Sequence, residues 1–320
     1  MKRFAIFTMV CFAAAVLFSA CGPEGLGGDG DWWSRTAMAK GVKTIIENPG
    51  TDNEMVSNYD KDGRLISTKN AWYEESITYD SDGRPVTITQ KNYNEGKVTS
   101  TTTITYTYGG ANKDRFLPRD LMGQTIFHLN HIGLLPGITK IEKDYDGSKT
   151  TIEFTFKGDV LTAKSTGKDE YDNFECTCQY DGAYPVSSDG EWQAMGPNTY
   201  FENGMFKTDV ESFKYEGKIT STRTTTYKNV DNLWNLEEKM VEVYADGGGQ
   251  QTWTYTYDKY NNMTKETRVY VDATSTNTEF SEFTYEYDSK GMWTTMHVRN
   301  VGNDGKEYNP YTATRTITYW

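Results

Sequence analysis

A tyrosine followed by aspartate recurs through most of the chain, and the residues before each copy alternate in polarity. Two and four places before the tyrosine the side chains are mostly large and apolar, whereas Thr, Glu or Lys stand between them. The copies are Tyr59-Asp60, Tyr79-Asp80, Tyr180-Asp181, Tyr257-Asp258 and Tyr287-Asp288, with looser ones at Tyr108-Gly109, Phe156-Lys157 and Tyr215-Glu216. A period of two is typical of a β-strand with one buried and one solvated face, so the pattern predicts an all-β fold.

A polar segment with glycine follows the first copies and predicts a tight turn. Asp60-Lys61-Asp62-Gly63-Arg64 and Asp80-Ser81-Asp82-Gly83-Arg84 place Gly where a positive φ is needed and Asp where its side chain can hydrogen-bond the turn backbone. Asn261-Asn262 and Gly291 fill the same place in later copies. A second β-rich run follows each turn, at residues 65–69, 86–90, 263–270 and 293–299, and its inward parity is ambiguous. The sequence therefore predicts hairpins joined into an antiparallel meander, which forms a large curved sheet over residues 41–320.

The motif Tyr-Asp-x-x-Gly-Arg-(Leu/Pro), at residues 59–65 and 79–85, resembles the YD repeat of Rhs-type proteins and of many cell-envelope lipoproteins. Two copies match closely, those at Tyr257 and Tyr287 match in part, and the repeat interval varies from 20 to 48 residues. The resemblance implies an architecture and an envelope location, and it carries over no catalytic residue. The encapsulating shell of Rhs toxins would need many more repeats than this chain has.

The first 20 residues have the layout of a secretory signal peptide. Lys2 and Arg3 precede an apolar run at residues 4–18, which is shorter than the roughly 20 residues of a spanning helix. The segment Leu17-Phe18-Ser19-Ala20-Cys21 resembles the lipobox of bacterial lipoproteins. That resemblance implies cleavage before Cys21, acylation of its thiol, and anchoring to the cell envelope, with the outer membrane as the expected location.

Residues 21–40 predict a flexible tether rich in Gly and Asp, which cannot bury enough apolar surface to order itself. Glu24, Asp29 and Asp31 resemble the acidic residues after the lipidated Cys of surface-exported lipoproteins, although a plain solvated linker explains them equally well. Without the signal peptide, 31 basic residues stand against 45 acidic ones, a net charge of −14. This charge argues against a nucleic-acid partner, and a mean hydropathy of −0.72 argues against a further membrane span.

The cysteines and histidines favour structural roles over metal binding. Cys176 and Cys178 occupy the slots that aromatic residues fill in other copies, so we expect them on one face of a strand, in the core. Residues 111–137 break the period of two and predict a short helical or loop insertion. His128 and His131 lie in this insertion at a spacing of three, but neither they nor His297 belong to a metal-ligand motif.

No recognisable catalytic motif is present, so we predict a protein that is not an enzyme and has no cofactor or metal. Gly247-Gly248-Gly249 lacks the Lys-Ser/Thr of a phosphate-binding loop and predicts a hairpin turn. The Asp-x-Asp-Gly turns do not match a calcium-binding EF-hand loop, because their Gly is at the fourth position and the EF-hand needs it at the sixth.

Aromatic residues supply the sequence's hint of a ligand. They make up 14% of the chain, and Trp72 falls on the solvent parity of its strand. The resulting hypothesis is a glycan-binding or protein-binding patch around Trp72, with packing under a neighbouring loop as the alternative. The sequence thus favours a lipid-anchored, non-catalytic binding or structural module. Two other functions stay open: an envelope polysaccharide hydrolase with paired carboxylates, and a carrier of an apolar ligand.

Overall fold

A computed structural model of the protein describes residues 41–110, 115, 137–168, 173–189, 193–201, 206–229 and 235–320. The predicted signal peptide, Cys21, the tether and nearly all of the insertion at 111–137, with His128 and His131, lie outside these ranges.

The described residues form 21 strands and one short 3-10 turn at Ala245–Gly247. The strands are β1 (Val42–Glu47), β2 (Met55–Tyr59), β3 (Leu65–Lys69), β4 (Tyr73–Tyr79), β5 (Pro85–Asn94), β6 (Lys97–Tyr108), β7 (Ile138–Tyr145), β8 (Ser148–Lys157), β9 (Val160–Thr166), β10 (Phe174–Asp181), β11 (Tyr184–Asp189), β12 (Gln193–Met195), β13 (Thr199–Tyr200), β14 (Phe206–Tyr215), β15 (Lys218–Asn229), β16 (Asn235–Tyr244), β17 (Gln250–Tyr257), β18 (Met263–Val271), β19 (Thr276–Tyr287), β20 (Trp293–Val301) and β21 (Glu307–Tyr319). The predicted all-β antiparallel meander is confirmed.

Neighbouring strands in the chain are also neighbours in the sheet, and every pairing is antiparallel. β12 and β13 pair with successive parts of β14, so they act as two pieces of one strand. The order then continues from β14 to β21. β21 finally pairs with β1, and the pairings form a closed cycle, which the sequence pattern alone did not predict.

The Tyr-Asp turns have the predicted geometry. The Asp60 Oδ1 atom accepts hydrogen bonds from the backbone N–H groups of Asp62 and Arg64, both 2.9 Å long, and Gly63 adopts φ +85°. The Arg64 Nε atom also donates to Asp60 Oδ2 at 2.7 Å. The same bonds recur at Asp80, and Asp258 and Asp288 accept the equivalent backbone bonds. One carboxylate therefore satisfies the backbone donors of each turn.

The anchor tyrosines connect one repeat to the preceding one. Three of them donate their hydroxyl group, at 2.7 Å, to the carbonyl of a residue near the start of an earlier strand: Tyr79 to Leu65, Tyr108 to Pro85 and Tyr257 to Glu237. Tyr285, two residues before the anchor Tyr287, makes the same kind of bond to Met263. The Arg64 guanidinium lies 5.0 Å from the centre of the Tyr79 ring, within cation–π range. The repeat unit is therefore stabilised by its neighbour as well as by its own turn.

A bulge beside each anchor tyrosine explains why the inward parity of the second strands was ambiguous. Thr78 pairs with Thr87, but Tyr79 pairs with Pro85, so Val86 is an extra residue. The bulge shifts the alternation, and Pro85 and Ile88 are both buried although they are three residues apart. Equivalent register shifts precede Tyr59, Tyr108, Tyr257 and Tyr287.

The buried face of the sheet carries two apolar clusters. The larger is built on β1 to β10 around Ile45, Ile88 and Ile141, each 0% exposed. The smaller lies on β17 to β21 around Phe283, Trp293 and Met296. Cys178 is buried in the larger cluster and Cys176 packs against it, as their slots in the repeat predicted, and no disulfide joins the two.

Candidate functional site

Antiparallel connection places alternate turns at opposite ends of the closed sheet. One end, which we call the Tyr-Asp end, carries the turns at 60–64, 80–84, 258–262 and 288–292. The opposite end, which we call the distal end, carries the turns at 70–72, 95–96, 146–147, 216–217, 245–249, 272–275 and 302–306. β1 starts at the Tyr-Asp end, where Gly41 accepts a backbone hydrogen bond from Trp320. The chain that precedes β1 therefore enters the fold at the end opposite the distal turns.

Exposed apolar side chains are concentrated at the distal end. Those within the distal turns or one or two residues from them are Trp72, Val98, Tyr145, Tyr215, Ile219, Val243, Val271 and Tyr308. Trp72 is 44% exposed, as its parity predicted, and its backbone N–H bonds the Asn70 side chain at 2.9 Å. Clustered exposed apolar groups are a feature of interaction surfaces, so the distal end is the better candidate for ligand contact.

An open pocket of about 710 Å³ lies at the distal end, on β18 to β21. Cross-strand pairing places one row of side chains along it, because Glu266 pairs with Ser281, Ser281 with Asn300, and Asn300 with Tyr308. Paired residues point to the same face of a sheet, about 5 Å apart. Its volume is in the usual range of small-molecule sites, about 300–1,000 Å³.

Tyr308 is held in a fixed position at the rim of this pocket. Its hydroxyl donates to Asp304 Oδ2 at 2.7 Å, while its side chain is 48% exposed. The ring packs over Gly302, where a Cβ atom would lie 2.6 Å from the Tyr308 Cε2 atom. Gly302 therefore permits a ring position that any larger residue would disturb.

The charges of the pocket are mixed. Burial raises the pKa of Glu266, and the nearby Arg268 guanidinium opposes this shift. Arg268 itself lies 5.3 Å from the centre of the Trp253 ring. The hydrogen bond from Tyr308 lowers the pKa of Asp304, which keeps that carboxylate ionised. The pocket thus combines an ionised acceptor, a guanidinium donor and a carboxyl group that is poorly solvated.

We expect Glu266→Gln to raise the unfolding midpoint at pH 8 and to have a smaller effect at pH 4. A raised folded-state pKa means that ionised Glu266 destabilises the fold above that pKa, whereas the protonated form does not. Thermal unfolding between pH 4 and pH 8 measures the difference. Glu282→Gln is the control with opposite sign, because Lys265 and Arg299 lower the pKa of Glu282. It should destabilise at pH 8, and this effect should vanish as the pH falls. A gain from Glu266→Gln that is independent of pH would contradict the assignment.

Further polar groups are buried away from the pocket. Glu75 is 0% exposed and accepts hydrogen bonds from the Tyr73 hydroxyl at 2.6 Å and from Gln90 Nε2 at 2.8 Å. Glu242 accepts from Ser221 at 2.8 Å and from Arg223 at 3.0 Å. These carboxylates have donors within the fold, which indicates structural roles.

Trp72, the ligand-contact residue predicted from the sequence, shares the distal end with the pocket but does not line it. It lies in the turn between β3 and β4, and the sequence did not predict the pocket residues. The sequence does contain a signal for the pocket. Glu279 and Ser281 lie on the same face of β19 as the inward-facing Phe283 and Tyr285 but are polar, which marks the place where the apolar core ends. Among the residues that the structure describes, no group of three or more His, Cys, Asp or Glu could hold a metal ion. The described part of the chain also contains no helix with the length and hydropathy to cross a membrane.

Comparisons with known proteins give distant likenesses among solved structures. No family model matches the sequence, and no curated protein matches it. The chain is similar to a porin-like protein from Bacteroides uniformis, with 14% identity over 88% of this chain and 99% of that one, at a TM-score of 0.34. A porin-like protein from Bacteroides vulgatus gives 12% identity over 87% and 98%, at 0.29. The Tc holotoxin pore of Photorhabdus luminescens gives 12% identity over 81% of this chain, at 0.30, and this chain spans 15% of that one.

Proposed function

We propose that the protein is a non-catalytic binding module of the bacterial cell envelope, anchored by acylated Cys21 and presenting its distal end to a ligand. The observation that carries this proposal is the separation of the two ends of the fold. The chain enters at the Tyr-Asp end, whereas the pocket and the exposed apolar side chains lie at the distal end.

The proposed anchor at Cys21 agrees with the position of β1, which begins at the Tyr-Asp end of the fold. The predicted tether of residues 21–40 would join the lipid anchor to the Tyr-Asp end, because it precedes β1 in the chain. A domain held this way has its Tyr-Asp end near the bilayer and its distal end directed away from it. The lipobox-like segment and the YD-like turns are both features that cell-envelope lipoproteins share, and they favour the outer membrane as the location.

We expect Cys21→Ser to move the protein from the membrane fraction to the soluble fraction. The thiol is the acyl acceptor, and each buried acyl CH₂ contributes about 0.8 kcal/mol to membrane attachment. Fractionation of cells that express the full-length chain, followed by immunoblotting, measures the change. Cys11→Ser, which removes a thiol upstream in the apolar run, is the matched control and should leave the distribution unchanged. Membrane retention of the Cys21 variant would contradict the anchor.

Polysaccharide hydrolysis is the second candidate, and the pocket supplies the observation that favours it. A glycosidase needs two carboxyl groups that face the substrate, and Glu266, whose pKa is raised by burial, lines the same pocket as Glu279. Release of reducing ends from neutral polysaccharides, abolished by Glu266→Gln, would establish hydrolysis in place of simple binding. The carrier hypothesis has less support from this pocket, because polar side chains form most of its lining.

A further inference from the structure

We infer that the pocket on β18 to β21 is a binding site for an uncharged oligosaccharide, with Tyr308 as its stacking platform. This inference deepens the proposed binding function and rests on it. Three features of the pocket lead to it: a linear row of hydrogen-bonding groups, a fixed aromatic ring, and the sign of its charge.

The row provides donors and acceptors at regular spacing. Glu266, Ser281, Asn300 and Tyr308 follow one another across four adjacent strands, which spans roughly 15 Å at about 4.8 Å between strands. Ser281 and Asn300 are mutually oriented by a 2.7 Å hydrogen bond from the hydroxyl to the amide oxygen. The Asn300 Nδ2 atom donates one hydrogen bond to the Asn309 backbone carbonyl at 3.4 Å, which leaves its second N–H for a ligand. Carboxylate acceptors and amide donors in one line suit a chain of sugar rings, whose hydroxyl groups both donate and accept.

Tyr308 offers a flat apolar face beside this row. A half-exposed aromatic ring normally loses conformational freedom when a ligand binds, but the Asp304 hydrogen bond and the contact with Gly302 already fix this ring. Its exposed face can cover the C–H face of a pyranose ring while its hydroxyl remains bonded to Asp304. This preorganisation lowers the entropic cost of binding.

The charge of the pocket selects against anionic ligands. Glu266, Glu279 and Asp304 line the pocket together with one guanidinium, that of Arg268, and the Lys306 ammonium lies 3.1 Å from Asp304 Oδ2. The excess of carboxylates repels phosphates and uronic acid polymers. Arg268 in turn disfavours a polycation, and its N–H groups are suitable donors to sugar hydroxyl oxygens.

Isothermal titration calorimetry of the full-length protein in detergent tests the inference. The probes are linear hexasaccharides of glucose, mannose, galactose and N-acetylglucosamine, with hexagalacturonate as the anionic arm and spermidine as the cationic arm. We expect at least one neutral hexasaccharide to bind with a Kd below about 1 mM, and neither charged probe to compete with it. Tyr308→Ala should weaken that binding roughly 10- to 30-fold.

Two further variants distinguish a stacking role of Tyr308 from a general effect of its substitution on folding. Tyr311→Ala removes another exposed tyrosine from β21 that does not line the pocket, and should leave the Kd within about twofold. Gly302→Ala keeps Tyr308 but displaces its ring, so it should weaken binding as Tyr308→Ala does. Thermal unfolding of each variant checks the fold.

Three outcomes would overturn the inference: no binding by any neutral probe, a preference for hexagalacturonate or spermidine, or an unchanged Kd in a folded Tyr308→Ala variant. These outcomes are distinct from failure of the proposed anchor, because the anchor is measured by fractionation of the Cys21 variant. A protein that binds sugar but is not membrane-anchored would contradict only the anchor. A membrane-anchored protein that does not bind sugar would contradict only this inference.

Discussion

Arg315→Leu is expected to lower the free energy of unfolding by about 3–5 kcal/mol, because it removes the cation from a buried ion pair. The Arg315 Nη2 and Nε atoms lie 2.6 and 2.8 Å from Glu47 Oε1, and the two side chains are 1% and 7% exposed. The guanidinium carbon also lies 3.3 Å from the centre of the Trp293 ring. The loss would leave the Glu47 carboxylate buried beside apolar groups, where ionisation is costly.

The same pair joins the first and the last strand of the described fold, since Glu47 is on β1 and Arg315 is its cross-strand partner on β21. Urea unfolding followed by tryptophan fluorescence measures the effect. The double variant Glu47→Leu/Arg315→Leu should recover most of the loss, because well-packed apolar residues often replace a buried pair without cost. Arg299→Leu, which breaks a surface network with Glu282 and Glu307, should leave the free energy of unfolding almost unchanged. A loss below about 1 kcal/mol for Arg315→Leu would mean that the pair is not buried in solution.

Ile141→Ala should cost about 2–5 kcal/mol, the second large effect. Ile141 is 0% exposed and lies between Tyr106 and Ile152 on the neighbouring strands of the larger cluster. Truncation removes buried methyl groups and leaves a cavity that a sheet, fixed by pairing on both sides, fills poorly.

Ile219→Ala is the matched control for this substitution, since it deletes the same atoms from a side chain that is 52% exposed at the distal end. It should change stability by no more than about 0.5 kcal/mol. Chemical denaturation of both variants under one condition gives the comparison. Similar losses in the two variants would show that the buried and exposed faces have been assigned wrongly.

Local patterns predicted the repeat unit accurately. The alternation before Tyr79 and Tyr287 marked the buried side chains, and the Asp-x-x-Gly-Arg segment indicated the turn that Asp60 stabilises through short-range hydrogen bonds. These features depend on residues that are close in sequence, so a single copy contains the information. The parity after each turn was not predictable, because a bulge such as the one at Val86 has no clear mark in the sequence.

The candidate site was predicted much less well. Trp72 was recognised as exposed from the parity of one strand, whereas the row from Glu266 to Tyr308 was not recognised. That row can be recognised only when the registers of four strands are known, and two of the three registers, β19 with β20 and β20 with β21, shift at a bulge. Glu266 and Tyr308 carry no motif of their own.

By itself, the sequence determined the class of fold, the hairpin unit and its turns, because alternation and turn chemistry are local properties. It also supplied the lipobox-like segment at Cys21, on which the proposed location depends. Tertiary structure alone decided that β21 returns to β1, that Arg315 meets Glu47 across 268 residues, and that a pocket opens at the distal end. Closure and register depend on contacts summed over many strands, and no local pattern encodes that sum.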